Sequence, residues 1–282
     1  MICPGCGKLI GVDEERCPFC GAWRPGLYGM APRLQRLFGR RLDLNRVIVS
    51  ACIGLYVIAL VLDPSAILGG GGGGVFGWLF GLLSPGGRAL LLLGATGAPQ
   101  LLSGWWWTLL TAIYLHGGLL HIFFNLMWIR QLGPSVTKVY GPARSFVIFS
   151  VSGAAGFLLS DAVAAFVLHQ RTLAVGASGS IFGLLAALIV FGRRRGIPTL
   201  SGQLLQWAVL MFAMGFAMPH VDNMAHLGGF AGGWLSASVM RFDDEKRETP
   251  LVQVLALVLL ALTAFGVVMS FVKVAAIIGA AG

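Results

Sequence analysis

Apolar residues dominate the chain from residue 46 onward, in long runs separated by short polar or basic segments. A helix needs about 20 mostly apolar residues to cross the hydrocarbon core of a bilayer. The pattern therefore predicts an all-α fold, a polytopic membrane helix bundle. Its seven spans cover roughly residues 46–62, 106–132, 143–167, 177–192, 203–219, 223–240 and 250–278.

Composition and charge agree with a membrane location. The chain is 57% hydrophobic and 11% charged, whereas a soluble domain carries about 25% charged residues. The net charge of +9 does not require a nucleic-acid partner, because cytoplasmic loops collect Lys and Arg. With the amino terminus inside, only Arg88, Arg171 and Lys273 of the 20 basic residues lie outside. We therefore predict a multi-pass cell-membrane protein with a cytoplasmic amino terminus, an external carboxyl terminus and no nucleic-acid partner.

A long outer loop, residues 63–104, separates the first two spans. It contains a run of six glycines, Gly69–Gly74, and two apolar pieces too short to span, Val75–Leu83 and Ala89–Leu93. Such a loop is expected to lie in the membrane interface. Trp105–Trp107 then mark the boundary between water and lipid where the second span begins.

The fourth span is short. It covers Ser178 to Gly192, 15 residues, and three arginines follow at the inner face. At about 1.5 Å per residue, Ser178 lies roughly 22 Å above that face. Since the hydrocarbon core is about 30 Å thick, Ser178 is expected about 8 Å below the outer surface. Non-helical backbone at that depth requires a cavity lined by protein or water.

Polar residues cluster at this depth. His116, His121 and Asn125 lie on the second span, Ser178 begins the fourth and His226 begins the sixth. One membrane histidine is as often a packing residue as a functional one, but this combination on three helices favours chemistry. Ser178 and His226 can supply a nucleophile and its base. The backbone N–H of Ser178 and the side chains of His121 and Asn125 could stabilise an oxyanion.

Small residues indicate how two of these helices pack. Gly179 and Gly183 on the fourth span, and Gly229 and Gly233 on the sixth, each follow small-xxx-small spacing. This spacing lets two helix backbones approach closely, as a hydrogen bond between a serine and a histidine across two helices requires. Ordinary membrane packing explains it equally well.

Asp222 lies four residues before His226, which makes a Ser–His–Asp triad one possible arrangement. However, Asp222 lies at or before the start of its helix, where Asp residues serve as caps. It is also closer to the outer surface, where water would screen it. We therefore predict that Asp222 is a cap and that the site is a dyad.

Three motifs resemble those of the rhomboid intramembrane proteases. They are Gly176-Ala-Ser178-Gly179, His116-x4-His121-x3-Asn125 and Ala225-His226-x2-Gly229-x3-Gly233. The resemblance covers about residues 46–240. It implies a six-helix core, to which residues from Pro250 add a seventh helix for anchoring or packing.

The resemblance also implies residue roles. Ser178 would be the nucleophile, His226 the base, and His121 and Asn125 the oxyanion donors, with no cofactor for catalysis. Phe182, one turn after Ser178, corresponds to the aromatic position that packs on the catalytic imidazole. Ordinary core packing is compatible with that role.

Two positions depart from the family pattern. Rhomboids usually show Trp-Arg before the second helix, but Thr108 follows Trp107 here, and Thr137 stands where a Glu is common. We expect both departures to affect stability or loop anchoring more than chemistry.

The amino-terminal segment contains two C-x2-C motifs ten residues apart, Cys3-Pro-Gly-Cys6 and Cys17-Pro-Phe-Cys20. This spacing is typical of a small zinc ribbon with a closed, structural Zn²⁺ site. A reducing cytoplasm argues against disulfides, while iron or a vestigial site remains an alternative. Cys52, in the first span, is expected to be inert.

The predicted organisation is a zinc-ribbon-like module at 1–24, a basic juxtamembrane linker at 25–45, the six-helix protease core at 46–240, and a cytoplasmic linker with the seventh helix at 241–282.

The predicted function is intramembrane serine endopeptidase, with transmembrane proteins as substrates and the lipid bilayer as surroundings. The alternative is a non-catalytic rhomboid-like protein that binds or escorts membrane clients. A transporter would be expected to show internal repeats, which this sequence lacks. Nothing in the sequence identifies a partner for the ribbon.

Overall fold

A computed structural model describes residues 3, 6–11, 14, 16–21, 44–67, 81–218, 221–240 and 248–281. The chain forms two compact units, Met1–Val47 and Ile48–Gly282. Several predictions fall outside the described residues: most of the basic linker, the glycine run at 69–74, the greater part of Val75–Leu83, and the segment at 241–247.

The described part of the second unit is mainly helical. The α-helices are α1 (Leu44–Leu62), α2 (Gly87–Leu93), α3 (Ala98–Leu102), α4 (Thr108–Thr111), α5 (Leu119–Tyr140), α6 (Pro142–Val163), α7 (Ser178–Arg194), α8 (Pro198–Ala217), α9 (Asn223–Val239) and α10 (Pro250–Ala281). Two-residue strands, β1 (Thr96–Gly97) and β2 (Leu173–Ala174), pair antiparallel. Short 3₁₀ segments, Pro64–Ala66 and Ala112–Tyr114, and a π-turn, Ala164–Leu168, complete the regular structure of the described residues.

The predicted helical bundle is confirmed. Four described helices, α1, α6 with its π-turn, α8 and α10, are long and apolar enough to cross a membrane, and a fifth span results if α4 and α5 count as one. The helices α7 and α9 have 17 residues each, in agreement with the short fourth span predicted from the sequence. The chain is therefore a multi-pass membrane protein.

The second predicted span, 106–132, is not one continuous helix. Its two parts, Thr108–Tyr114 and Leu119–Tyr140, meet at an angle of 93°. Gly118 is the N-cap of α5 with a φ of 172°, an extended conformation that stops the helix from running through. His116 consequently lies in the break between α4 and α5. The prediction from the sequence, which placed His116 on a helix, was wrong.

The helix α7 lies at the centre of the bundle. It packs against α5, α6, α8 and α9, and its residues from Gly179 to Val190 are all buried. Burial on every side explains why α7 is apolar all round and lacks the polar face of a surface helix.

The predicted close approach of two helices is confirmed. A Cβ atom built on Gly229 would collide with the backbone of Gly179, and one on Gly233 would collide with the backbone of Gly183. The helices α7 and α9 therefore touch main chain to main chain along a glycine seam, defined by these four residues. Any larger side chain at Gly229 or Gly233 would force the helices apart.

The helix α10 packs against α2, α4 and α6. Its Ser270 is completely buried and accepts a hydrogen bond from Nε1 of Trp107 at 3.0 Å. Trp107 is thus an internal residue, and the location of Trp105–Trp107 at the boundary between water and lipid stays a prediction. Trp106, at 47% exposure, keeps an accessible surface.

Candidate active site

Ser178 is the first residue of α7 and is half-buried. Ala177 precedes it as the N-cap and offers no side-chain hydrogen bond to the helix. The first N–H groups of a helix have no intrahelical partner, and the helix dipole adds partial positive charge there. Within the part of the chain that the structure describes, the start of α7 therefore presents backbone donors without a partner beside the Ser178 hydroxyl.

The two-stranded sheet leads the chain into α7. Two residues after β2, the N–H of Gly176 donates to the carbonyl of Ala112 at 2.9 Å. Gly176 has a φ of +128°, which favours glycine. A Cβ atom at this position would lie 2.5 Å from Nε2 of His121. Glycine at 176 therefore lets the backbone pass directly beside the His121 ring.

His226 lies near the start of α9 and is 6% exposed. The ring of Phe182 stacks on its imidazole, with ring centroids 4.3 Å apart and planes inclined by 17°. Within the described residues, Nδ1 of His226 is buried without a hydrogen-bond partner. An aromatic ring therefore packs on this imidazole, and among the described groups no carboxylate is hydrogen-bonded to its Nδ1.

Ser178 and His226 belong to helices that touch at this level. A Cβ atom on Gly179 would lie 3.1 Å from the carbonyl oxygen of Ala225, and these two residues are the chain neighbours of Ser178 and His226. Among the described hydrogen bonds, none joins the Ser178 hydroxyl to the His226 ring. Catalytic hydrogen bonds are often long in enzymes without substrate and tighten in the reacting complex.

His121 occupies the first turn of α5, and its ring makes a T-shaped contact with the ring of His116, the ring centroids being 5.1 Å apart. The backbone N–H of Gly117 donates to Nδ1 of His121 at 3.3 Å. An Nδ1 atom that accepts a hydrogen bond carries no hydrogen, so the neutral ring has its hydrogen on Nε2. His121 therefore offers an N–H donor on the side that faces Gly176.

Asn125 lies one turn further along α5 and is buried. Its Nδ2 donates to the backbone carbonyl of His121 at 2.8 Å, while Oδ1 is buried and has no partner within the described residues. Within the described residues, the second hydrogen of the amide group has no acceptor. The side chain of Asn125 is thus hydrogen-bonded to its own helix and keeps one N–H donor for another group.

Asp222 is the N-cap of α9, as predicted. Its Oδ1 accepts from the backbone N–H of Ala225 at 2.9 Å. The other oxygen, Oδ2, accepts a hydrogen bond from the hydroxyl of Ser160 on α6. Both carboxylate oxygens therefore have partners other than the His226 ring.

Sequence reasoning missed a second carboxylate, Asp161 on α6, which is 1% exposed. Thr96 donates its hydroxyl hydrogen to Asp161 at 2.6 Å, and Thr108 lies 3.0 Å from Thr96, hydroxyl to hydroxyl. Because Thr96 belongs to β1, this network anchors the sheet that precedes Ser178. An acidic residue within an apolar span costs free energy, so Asp161 could have been singled out from the sequence as a residue with a specific role. Thr108, which stands where the rhomboid resemblance led us to expect Arg, thus has a polar partner.

The four amino-terminal cysteines lie together, with their sulfur atoms all within 4.8 Å of one another. The Sγ atoms of Cys3 and Cys20 are 3.7 Å apart, and those of Cys6 and Cys17 are 3.6 Å apart. Tetrahedral zinc with Zn–S bonds of about 2.3 Å requires sulfur atoms about 3.8 Å apart, whereas a disulfide requires about 2.0 Å. The geometry fits a metal site with four thiolate ligands.

Each cysteine pair forms the same tight turn. Gly7 donates its backbone N–H to the carbonyl of Cys3, and Gly21 donates to Cys17, both at 2.9 Å. Both glycines have a φ of 71°, in the left-handed region that glycine tolerates best. A glycine directly after each C-x2-C motif is the sequence signal for these turns.

The thiol of Cys17 is easily ionised. Burial raises its pKa, but hydrogen bonds from the backbone of Phe19 and Cys20 and from the thiols of Cys3 and Cys20 outweigh burial and lower the pKa to about 7. Thiolate is the form of cysteine that binds metal, so the environment of Cys17 favours a metal ligand.

Comparison with known proteins agrees with these observations. Residues 103–242 match the family described as Rhomboid domain. The chain is 33% identical to the rhomboid protease GluP of Bacillus subtilis over 156 residues, which are 54% of this chain and 30% of that protein. It is 33% identical to RHOMBOID-like protein 1 of Arabidopsis thaliana, over 46% of this chain and 33% of that protein. It is 34% identical to the rhomboid protein YdcA of Bacillus subtilis, over 51% of this chain and 72% of YdcA. The chain thus spans about a third of the first two relatives and most of the third.

Proposed function

The chain belongs to the rhomboid family, and from that premise we propose that it is a serine endopeptidase that cleaves other membrane proteins within the bilayer. In this proposal Ser178 is the nucleophile and His226 is the base. The observation that carries it is the stacking of Phe182 on the His226 imidazole, next to a glycine contact between the helices that bear Ser178 and His226.

The first step is attack of Ser178 Oγ on the scissile carbonyl carbon. The hydroxyl proton passes to His226, which then gives it to the leaving amine nitrogen as the peptide C–N bond breaks. Water then attacks the acyl-enzyme and gives a proton to His226, which returns it to Ser178 Oγ as the ester bond breaks and the new carboxyl terminus of the substrate leaves. Because Nδ1 of His226 is buried without a partner in the described structure, the imidazole reacts through Nε2.

Negative charge that develops on the carbonyl oxygen requires hydrogen-bond donors. Among the described hydrogen bonds, none occupies the backbone N–H of Ser178 at the start of α7. Nε2 of His121 carries its hydrogen and lies beside Gly176, two residues before the nucleophile. Asn125 has a spare amide hydrogen one turn away. We assign these three groups as the oxyanion hole.

The substrates are transmembrane proteins that can present an unwound segment near the outer face of the bilayer. A helical peptide bond is shielded by its own turn and has both polar groups hydrogen-bonded, so local unwinding must precede attack. The excess of Lys and Arg in the inner segments supports a cytoplasmic amino terminus and an external carboxyl terminus.

The four amino-terminal cysteines are assigned to one structural Zn²⁺ ion. Four sulfur atoms at tetrahedral spacing leave no position open for a substrate or water, and closed four-cysteine sites are structural. Zinc would stabilise the fold of the ribbon, and peptide hydrolysis in the membrane core uses no cofactor. Iron is the competing metal for this donor set.

The test is cleavage of a model transmembrane substrate by purified protein in detergent, wild type beside Ser178→Ala and His226→Ala. We expect cleavage only by wild type, and a fluorophosphonate probe should label wild type but not Ser178→Ala. Equal labelling of both would remove Ser178 from its role. A folded wild-type protein that binds the substrate without cleaving it would favour the non-catalytic alternative.

A further inference from the structure

A short part of the outer loop, Leu82–Ser84, contacts the chain just before α5. The backbone N–H of Leu119 donates to the carbonyl of Leu82 at 2.9 Å. The hydroxyl of Ser84 donates to the carbonyl of Gly117 at 2.7 Å. Gly118, the N-cap of α5, has no side chain that could cap the helix. The outer loop therefore supplies hydrogen-bond partners that the start of α5 lacks.

This loop segment is itself held in place. The hydroxyl of Tyr56 on α1 donates to the carbonyl of Leu83 at 2.5 Å, and the N–H of Leu83 donates to Ile67 at 3.2 Å. Leu83 has a φ of +52°, an uncommon value for a residue with a side chain. Such a conformation persists only where the surroundings over-determine it, and it occurs most often at functional sites.

Gly117 connects the loop to the oxyanion hole. Its carbonyl accepts from Ser84, and its N–H donates to Nδ1 of His121. The direction of the second hydrogen bond determines which ring nitrogen of His121 carries the hydrogen. If Gly117 turned away, Nδ1 could keep the hydrogen and Nε2 would become an acceptor, which repels an oxyanion.

We propose that Ser84 is a positioning residue for the oxyanion hole: through Gly117 it holds His121 in the tautomer that has its hydrogen on Nε2. This inference rests on the proposed function and assigns a task to a loop residue 94 positions before the nucleophile in the chain. Ser84 itself touches neither the substrate nor the reacting atoms.

The kinetic test is a double-mutant cycle of Ser84→Ala and His121→Ala, with Ser84→Thr as the conservative variant. Loss of one positioning hydrogen bond should lower kcat by roughly fivefold to tenfold and leave KM unchanged, since the substrate-binding surface is intact. Ser84→Thr should restore kcat. In the His121→Ala background, Ser84→Ala should change kcat less than twofold, because the group that Ser84 positions is already absent.

The matched control is Ser65→Ala, which removes another hydroxyl of the outer loop. Ser65 is exposed and donates to Asp63 rather than to the chain before α5, so its loss should leave kcat and KM as in wild type. An equal loss of kcat from Ser84→Ala with and without His121 would overturn the proposal, because Ser84 would then act on general stability.

A second readout needs no activity. The chain has five histidines, and ¹⁵N-histidine NMR of wild type beside His121→Ala identifies the His121 ring. We expect the pattern of a hydrogen on Nε2 in wild type and a mixture of tautomers in Ser84→Ala. A hydrogen on Nδ1 in wild type would overturn the inference. Absence of cleavage and of probe labelling in a wild type with the expected tautomer would instead overturn the proposed function.

Discussion

The hydroxyl of Ser160 donates a hydrogen bond to Asp222, across the contact between α6 and α9. The same carboxylate caps α9 through the N–H of Ala225. Both carboxylate oxygens of Asp222 thus accept hydrogen bonds from groups around the start of α9. Its position four residues before His226 has a structural explanation that needs no triad.

We predict that Asp222→Asn retains activity within roughly tenfold, since asparagine also caps helices. In a true triad the same change costs about 10⁴ in turnover. Asp222→Ala should mainly lower the free energy of unfolding, by about 1 kcal/mol for loss of the cap. Single-turnover cleavage and thermal unfolding measure the two effects. A thousandfold loss for a folded Asp222→Asn protein would establish a triad.

His121 and Asn125 should affect turnover more than binding. Removal of one oxyanion donor costs about 10²–10³ in rate, although the remaining donors can soften the loss. His121→Ala should therefore lower kcat strongly at nearly constant KM. Steady-state kinetics with a transmembrane substrate give both parameters. If the double variant His121→Ala/Asn125→Ala kept a rate within a few-fold of wild type, the assignment of the oxyanion hole would be wrong.

We expect Thr96 to affect stability and turnover through its hydrogen bond to Asp161. Thr96→Val keeps the shape of the side chain but leaves a buried carboxylate without this donor, which costs about 1–3 kcal/mol. We expect a lower melting temperature and reduced kcat, because β1 pairs with the strand that precedes Ser178. Thr96→Ser retains the hydroxyl and is the control. Equal melting temperatures for the valine and serine variants would contradict the anchoring role of the network.

Removal of the ribbon metal should leave the protease intact. We expect one zinc per chain by mass spectrometry of the metal content, and its loss in Cys3→Ser/Cys17→Ser. Cys52→Ala, which removes a cysteine outside the cluster, should keep the zinc. Cleavage in detergent should persist in all three proteins, since the proposed catalytic residues all lie in Ile48–Gly282. Iron, or no metal, in reduced wild-type protein would count against the assignment.

Local spacing predicted several parts of the fold correctly. Glycines at intervals of four indicated the contact between α7 and α9, because helix backbones can approach only where side chains are absent. The length of the apolar run after Ser178 predicted a short helix, and a helix start at residue 223 made Asp222 a cap. Each of these features depends on neighbouring residues along one helix.

Other features could not be predicted in this way. The break at His116 falls inside an apolar stretch whose composition hides it, although the pair Gly117-Gly118 was an available signal. The hydrogen bonds of Thr96 to Asp161 and of Ser84 to Gly117 join residues 65 and 33 positions apart. Such bonds depend on how the bundle brings distant segments together, which the pattern of a single segment does not specify.

The glycine seam has a consequence for how the protein unfolds. Where side chains interlock, a helix pair can loosen by rotamer changes while most contacts survive. Main-chain contacts such as Gly183 against Gly233 cannot adjust through rotamer changes. The contact between α7 and α9 is therefore either intact or lost along its whole length. Heating should therefore abolish catalysis and helix packing at one common temperature, and a loosened but still active form should not accumulate.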